Sequence, residues 1–201
     1  MKLMGRHSGF IACYASLAKN DADYVLIPEV PFTLDGDDGL LAHVRRTVRE
    51  RGCAVLIVAE GAGQEHLAAE TQTDASGNAR FGDIQRYLQQ RITDDFAAHR
   101  QELNLKLLDP SYVIRSVPAN PYDSVYCVRL AHAAVHAAMA GRTEVVVGRW
   151  HGRFVHIPIS LAISTRNTVD PDGDLWLSVL ESTGQPSRWG VRREGSHLQA
   201  V

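Results

Sequence analysis

The chain has 201 residues, 45% of them apolar and 22% charged, a composition ordinary for a globular chain of one domain or two small ones. A formal net charge of -2 and a 7% aromatic share without any aromatic–basic stripe exclude a general attraction for nucleic acid or an anionic membrane, so an anionic ligand would need a local cluster of cations. No run of 18 apolar residues is present and no apolar signal core follows Met1, which gives the expectation of a cytoplasmic protein; Cys13, Cys53 and Cys127, odd in number and widely spaced, fit thiols used as small apolar residues in a reducing compartment.

After Gly5, the residues Phe10, Ile11, Tyr14, Leu17 and Ala18 recur at helical spacing and predict a helix with one buried face, with Ser8 helping to cap it. Tyr24 to Ile27 reads as a short buried strand ended by Pro28. The acidic loop Asp35-Gly-Asp-Asp-Gly39 precedes an amphipathic helix carrying Leu40, Leu41, Val44 and Val48, which stops near Gly52. Ala54 to Ala59 is a continuous apolar strand of the kind buried on both faces of a parallel sheet, with Glu60-Gly61-Ala62-Gly63 at its C-terminal end. A polar loop over about residues 71–81 leads to a helix with Ile84, Leu88, Ile92 and Phe96 on one side. Tyr112-Val113-Ile114-Arg115 reads as another strand. Beyond the turn Pro118–Pro121, a helix from Tyr122 to Met139 places Val125, Val128, Ala131, Val135 and Ala138 inward. Val145–Val147 is expected as a third buried strand, with Arg153–Ile157 paired beside it, and the polar tail past about residue 170 as loosely attached.

Strands alternating with helices mean an α/β fold with a mainly parallel sheet. Ligands of such sheets sit beyond the C-terminal ends of the strands, which directs attention to Pro28-Glu29, Glu60-Gly61 and the segment around Arg115. Other constellations fail. His132 and His136 stand one helical turn apart but without the intervening glutamate of a zinc protease or an evident third ligand. The loops starting at Asp35 and Asp170 are acidic but lack the spacing of an EF-hand.

The segment Met4-Gly5-Arg6-His7-Ser8-Gly9-Phe10-Ile11-Ala12 resembles the signature by which phosphofructokinases grip fructose 6-phosphate. Leu26-Ile27-Pro28-Glu29-Val30-Pro31-Phe32, Val58-Ala59-Glu60-Gly61-Ala62-Gly63-Gln64, Asp109-Pro110-Ser111-Tyr112 with Ile114-Arg115, and Asp123-Ser124-Val125-Tyr126-Cys127 follow in the order and spacing of the plant- and trypanosome-like ATP-dependent branch of that family. The resemblance runs from residue 2 to about 160. It implies a Rossmann-like, mainly parallel α/β fold, subunits assembled as dimers or tetramers, and transfer of the γ-phosphoryl of ATP to the 1-hydroxyl of fructose 6-phosphate with Mg²⁺. A minority of relatives use pyrophosphate instead.

Chemistry and resemblance agree at the residues involved. A sugar phosphate needs cations and backbone amides, and a Gly-Arg pair opening a helix offers both; taken alone, such a pair reads first as a plain turn with an exposed arginine, and the flanking matches reverse that. By resemblance, Met4 and Gly5 contact the sugar, and Arg6 faces the phosphoryl being transferred. Glu60, at a strand end, matches the acceptor of sugar hydroxyls, although by itself it could be a solvated strand-end acid. Lys106 and Arg115 match cations on the 6-phosphate, and Tyr112 a phenolic donor to it; singly, a surface lysine and a strand-packing tyrosine would read the same.

The family's Gly-Gly-Asp donor loop and the Thr-Ile-Asp segment with its catalytic aspartate are not found in these residues, and both lie upstream of the Met-Gly-Arg motif in full-length relatives. The expectation is therefore an incomplete phosphofructokinase fold whose N-terminal half is missing. Residues 1–115 would form a partial fructose 6-phosphate-binding domain. Residues 116–201 would be a segment that packs on the absent nucleotide-binding domain, leaving the Val125–Val135 face without a partner. The partner expected is a complementary N-terminal half or, for a complete subunit, further copies of itself. The alternatives are a non-catalytic sugar-phosphate-binding regulatory subunit and a pyrophosphate-dependent enzyme.

Overall fold

The computed structural model describes residues 1–67 and 81–190. The expected loop over residues 71–81 lies almost wholly outside them. The described residues fall into two compact units, those of 1–112 with 168–190, and Val113–Asn167.

The first unit is built on a three-stranded parallel sheet of β1 (Lys2–Leu3), β2 (Tyr24–Leu26) and β3 (Leu56–Ala59), in the order β1-β3-β2. Leu3 pairs with Ala59 and Leu26 with Val58, so the C-terminal ends of all three strands lie at one end of the sheet. The crossover from β1 to β2 contains α1 (Phe10–Lys19), and that from β2 to β3 contains α2 (Leu40–Arg51). The two crossovers run in opposite directions across the sheet, so right-handed connections place α1 and α2 on opposite faces. Beside α2 packs α3 (Ile84–Ala98), whose Ile84, Leu88, Ile92 and Phe96 are all buried, as their spacing predicts. A half-buried fork from Arg45 Nη1 to Asp95 Oδ1 and Oδ2, at 2.7 and 2.5 Å, ties the two helices together.

Three local expectations are corrected here. Tyr112–Arg115 is not a strand: it belongs to α4 (Ser111–Ser116), a short helix that spans the boundary between the units. Its start is held by Asp109, whose Oδ1 accepts from the Ser111 N–H at 3.2 Å and from the Ser111 hydroxyl. Ser8 does not cap α1, because Gly9 occupies the N-cap and the Ser8 hydroxyl finds no partner among the described residues. The stretch after residue 170 is not loose up to Gly190. Its helix α7 (Asp174–Thr183) buries Trp176 and Val179 against α1 and β2. Beyond it, the buried Gln185 side chain donates to Val25 O at 3.1 Å and accepts from Val25 N at 2.6 Å, closing the free edge of β2 as a neighbouring strand would.

The second unit consists of α5 (Pro121–Met139), the antiparallel hairpin of β4 (Val145–Trp150) and β5 (Arg153–Pro158), and α6 (Ile159–Ala162). Asn120 caps α5 by accepting from Asp123 N at 2.9 Å. His151 and Gly152, at φ 45° and 80°, make the two-residue hairpin turn. The pairing of the two strands is as expected, but they are half-buried to exposed rather than core strands. The α5 residues read as inward are also exposed: Val125 at 61%, Val128 at 54% and Val135 at 60%, with Ala137 the residue that is buried. Within this unit the hairpin packs on α5, and much of the helix's apolar face stays exposed.

Candidate functional site

Beyond Leu3, the chain makes a tight turn before entering α1. Gly5 adopts φ +148°, where a Cβ would come within 2.4 Å of Ser8 O, and Arg6 adopts φ 48°. The left-handed conformation costs a residue other than glycine about 1–3 kcal/mol, so something must hold Arg6 there. The hold comes from β3. Glu60 Oε1 accepts the Arg6 N–H at 2.9 Å, and the Gly61 backbone lies so close that a Cβ on it would meet Arg6 O at 1.8 Å. The Glu60 N–H in turn donates to Leu3 O at 2.9 Å, continuing the ladder to the start of the turn. Gly61 therefore serves close approach, and Glu60 a hydrogen bond, at the C-terminal end of adjacent parallel strands.

Two further groups frame this turn. Gln64 Nε2 donates to Glu60 O at 2.9 Å while its Oε1 accepts from Gly82 N at 3.0 Å, which brings residues 81–82 to the strand end. There the Phe81 ring meets the His7 imidazole edge-on at 4.8 Å. On the β2 side, Glu29 Oε1 accepts from Gly9 N at 2.9 Å and from Val169 N at 2.8 Å. Behind Glu29, burial pushes the Cys13 thiol up to about 12, with the Glu29 charge adding to the effect.

The structure thus brings Met4, Gly5, Arg6 and Glu60 together. A carboxylate has acceptor capacity on both oxygens, so a Glu60 that holds the Arg6 amide can still receive ligand hydroxyls. Lys106 is elsewhere in the unit. It is exposed on the rim of a cavity of about 270 Å³ lined also by Met1, Gly52, Cys53 and Ala54, toward the N-terminal end of β3. Tyr112 is 84% exposed in α4, and Arg115 is exposed on the same helix but in the second unit. Gln64 and Phe81 are contributors that residue chemistry alone passes over, while Gly61 is signalled only by its place after the strand-end acid; Phe81 offers no signal, since it reaches the site through the Gln64–Gly82 bonds.

A phosphofructokinase family model matches residues 1–138. The chain belongs to the phosphofructokinase family. It is 62% identical over 198 residues to an ATP-dependent 6-phosphofructokinase of Amycolatopsis methanolica, a match covering 95% of this chain and 43% of that protein. It is 45% identical over 195 residues to ATP-dependent 6-phosphofructokinase 7 of Arabidopsis thaliana, covering 96% of this chain and 40% of that one. The crystal structure of a pyrophosphate-dependent phosphofructokinase from Nitrosospira multiformis superposes with a TM-score of 0.61 at 20% identity, over 96% of this chain and 49% of that one, which establishes the phosphofructokinase fold. The chain thus spans less than half the length of these phosphofructokinases. Among the described residues no helix is long and apolar enough to cross a membrane.

Proposed function

We propose that this chain supplies the sugar-phosphate site of an ATP-dependent 6-phosphofructokinase, which moves the γ-phosphoryl of ATP to the 1-hydroxyl of fructose 6-phosphate. The observation that carries the proposal is the Glu60–Arg6 bond across the ends of β3 and β1, which joins a hydroxyl acceptor to a cationic, amide-rich turn. In this reading Met4 and Gly5 contact the sugar and Glu60 accepts from its hydroxyls. Arg6 stabilises charge on the phosphoryl in flight, where an interaction that strengthens in the transition state raises turnover. Tyr112 and Arg115 bind the 6-phosphate as parts of the complete enzyme, which we propose to be an oligomer; Lys106, toward the opposite end of β3 in the same unit as Glu60, has no part in this site. ATP as donor is favoured by the likeness to the ATP-dependent enzymes of Amycolatopsis methanolica and Arabidopsis thaliana. Phosphoryl transfer of this kind uses Mg²⁺ on the donor. Among the described residues no group of three or more His, Cys, Asp and Glu side chains is placed to hold a metal ion.

The test is a coupled assay on the chain alone and on the chain co-expressed with the part of the Amycolatopsis methanolica relative that it does not cover. The chain alone is expected to consume no ATP, and the assembled pair to consume it in proportion to fructose 6-phosphate. In the pair, Arg115→Ala should chiefly raise KM and Arg6→Ala chiefly lower kcat. A pair that co-elutes from a sizing column yet binds no fructose 6-phosphate would overturn the reading.

A further inference from the structure

We infer that Glu29 is the positioning residue of the Gly5–Arg6 turn, holding it from the β2 side as Glu60 holds it from the β3 side. The first N–H groups of a helix have no partner within it, and α1 has no side chain of its own at its N-cap. The N-cap residue Gly9 instead donates its N–H to Glu29 Oε1 at 2.9 Å. Gly9 is pressed onto the end of β2 so closely that a Cβ would fall within 2.5 Å of the Ile27 side chain and 2.9 Å of Glu29 Oε2. From Gly9 the path to the turn is short: the Ser8 N–H donates to Gly5 O at 2.9 Å, and Arg6 lies between them. Residues 5–9 are thus suspended between two carboxylates rooted at the ends of adjacent strands.

Glu29 has a second attachment that gives the arrangement its reach. The same Oε1 accepts from Val169 N at 2.8 Å, at the start of the segment that carries α7. At the far end of α1, the Ser182 hydroxyl donates to Asn20 Oδ1 at 2.5 Å. Residues 169–182 therefore fasten α1 at both ends, with Val169 and Trp176 buried between. The other Glu29 oxygen, Oε2, is buried without a hydrogen-bond partner among the described residues. A side chain whose one used oxygen serves two backbone donors from distant segments acts as an acceptor at a fixed point, and that is the property to test.

The inference rests on the reading of the Gly5–Arg6 turn as the sugar-phosphate site, and two readouts on the 201-residue chain keep the two ideas apart. The first is amide hydrogen exchange without ligand. Glu29→Ala should accelerate exchange at Gly9, Val169 and Arg6 at least tenfold, while Glu29→Gln, which keeps an acceptor oxygen, should stay within threefold of the parent chain. The second is calorimetric titration with fructose 6-phosphate, in which Glu29→Ala should weaken binding at least tenfold and Glu29→Gln restore it. Acceleration at Gly9 and Val169 with an unchanged Arg6 amide would make Glu29 a local tether and overturn the inference. If the parent chain takes up no fructose 6-phosphate, the sugar assignment for the lone chain fails, and the Arg6 amide alone then decides whether Glu29 positions the turn. Should Glu29→Ala not fold, Glu29→Asp, which keeps the charge and withdraws the oxygen by one methylene, carries the same comparison.

Discussion

Gly61→Ala isolates the contact on which the candidate site depends. Gly61 is not in the left-handed region, so alanine there carries no backbone strain and would ordinarily stabilise the chain by about 0.4–1 kcal/mol through the unfolded state. What opposes it is one added carbon, placed 1.8 Å from Arg6 O and 2.8 Å from Arg6 C. Contacts below 3.0 Å are not tolerated, so the Arg6 peptide must withdraw by at least the difference, 1.2 Å, or β3 must yield instead. Overpacking of this kind costs about 1–3 kcal/mol, and at about 2–4 °C per kcal/mol for a chain of this size the melting temperature should fall by roughly 2–12 °C. The displacement also stretches the Arg6–Glu60 bond, so in the assembled enzyme kcat should drop about 100-fold, the cost of misplacing a catalytic group by about 1 Å. Differential scanning calorimetry on the parent, Gly61→Ala and Gly141→Ala provides the comparison, since a Cβ at Gly141 meets nothing within 4 Å and its cost is conformational only. A Gly61→Ala chain that melts with the parent, with the Arg6 amide exchanging at the parental rate, would refute the packing argument.

The remaining predictions concern protons, thiols and the sheet edge. Burial holds the Cys13 thiol at about 12 while Cys53 and Cys127 are exposed, so two of the three thiols should react with a disulfide reagent at pH 8 and the third only on unfolding. Hydrogen bonds from Lys2 and then Ser111 hold Asp109 down to about 2. A carboxyl lowered in the folded state contributes stability above its unfolded value and loses it as the pH falls through the folded one; the Lys2–Asp109 tie should therefore weaken between about pH 4 and pH 2, and Asp109→Asn should flatten the stability profile in that window alone. Gln185→Ala orphans the Val25 N–H and C=O, each worth about 1–3 kcal/mol if left unpaired, and should lower the melting temperature more than Gly61→Ala does; an unchanged melt would mean that the β2 edge needs no cover.

Much of the first unit is legible in residue order because its helices and strands are set by apolar spacing. Ile84, Leu88, Ile92 and Phe96 bury together because they share one helical face, and the Val25–Ile27 and Ile57–Ala59 runs are buried because they lie within a parallel sheet. Tyr112–Arg115 misleads because three apolar residues in a row have no period, and the cap that starts a helix there is a side chain two positions upstream. The docking of the tail misleads for another reason. Its decisive contacts, Gln185 on Val25 and Val169 on Glu29, bridge 160 and 140 residues, and no local pattern encodes a hydrogen bond of that span. The site divides the same way. Glu29, Glu60 and Gly61 are found because they follow strands and Gly5-Arg6 because it opens a helix, whereas the bonds from Glu29 and Glu60 to residues 6 and 9 and the close approach of Gly61 emerge only when β1, β2 and β3 lie side by side.

The closure of β2 by Gln185 has a consequence in time. A ribosome adds about 5–20 residues per second, so the 160 residues between Val25 and Gln185 take about 8–32 s to follow one another out. For that interval the β1–β3–β2 sheet can form, but its outer strand offers unpaired backbone groups to any neighbouring chain. The segment that carries Gln185 is thus also the one that ends a vulnerable period during synthesis. A stop codon placed just before Gln185 would make that period permanent.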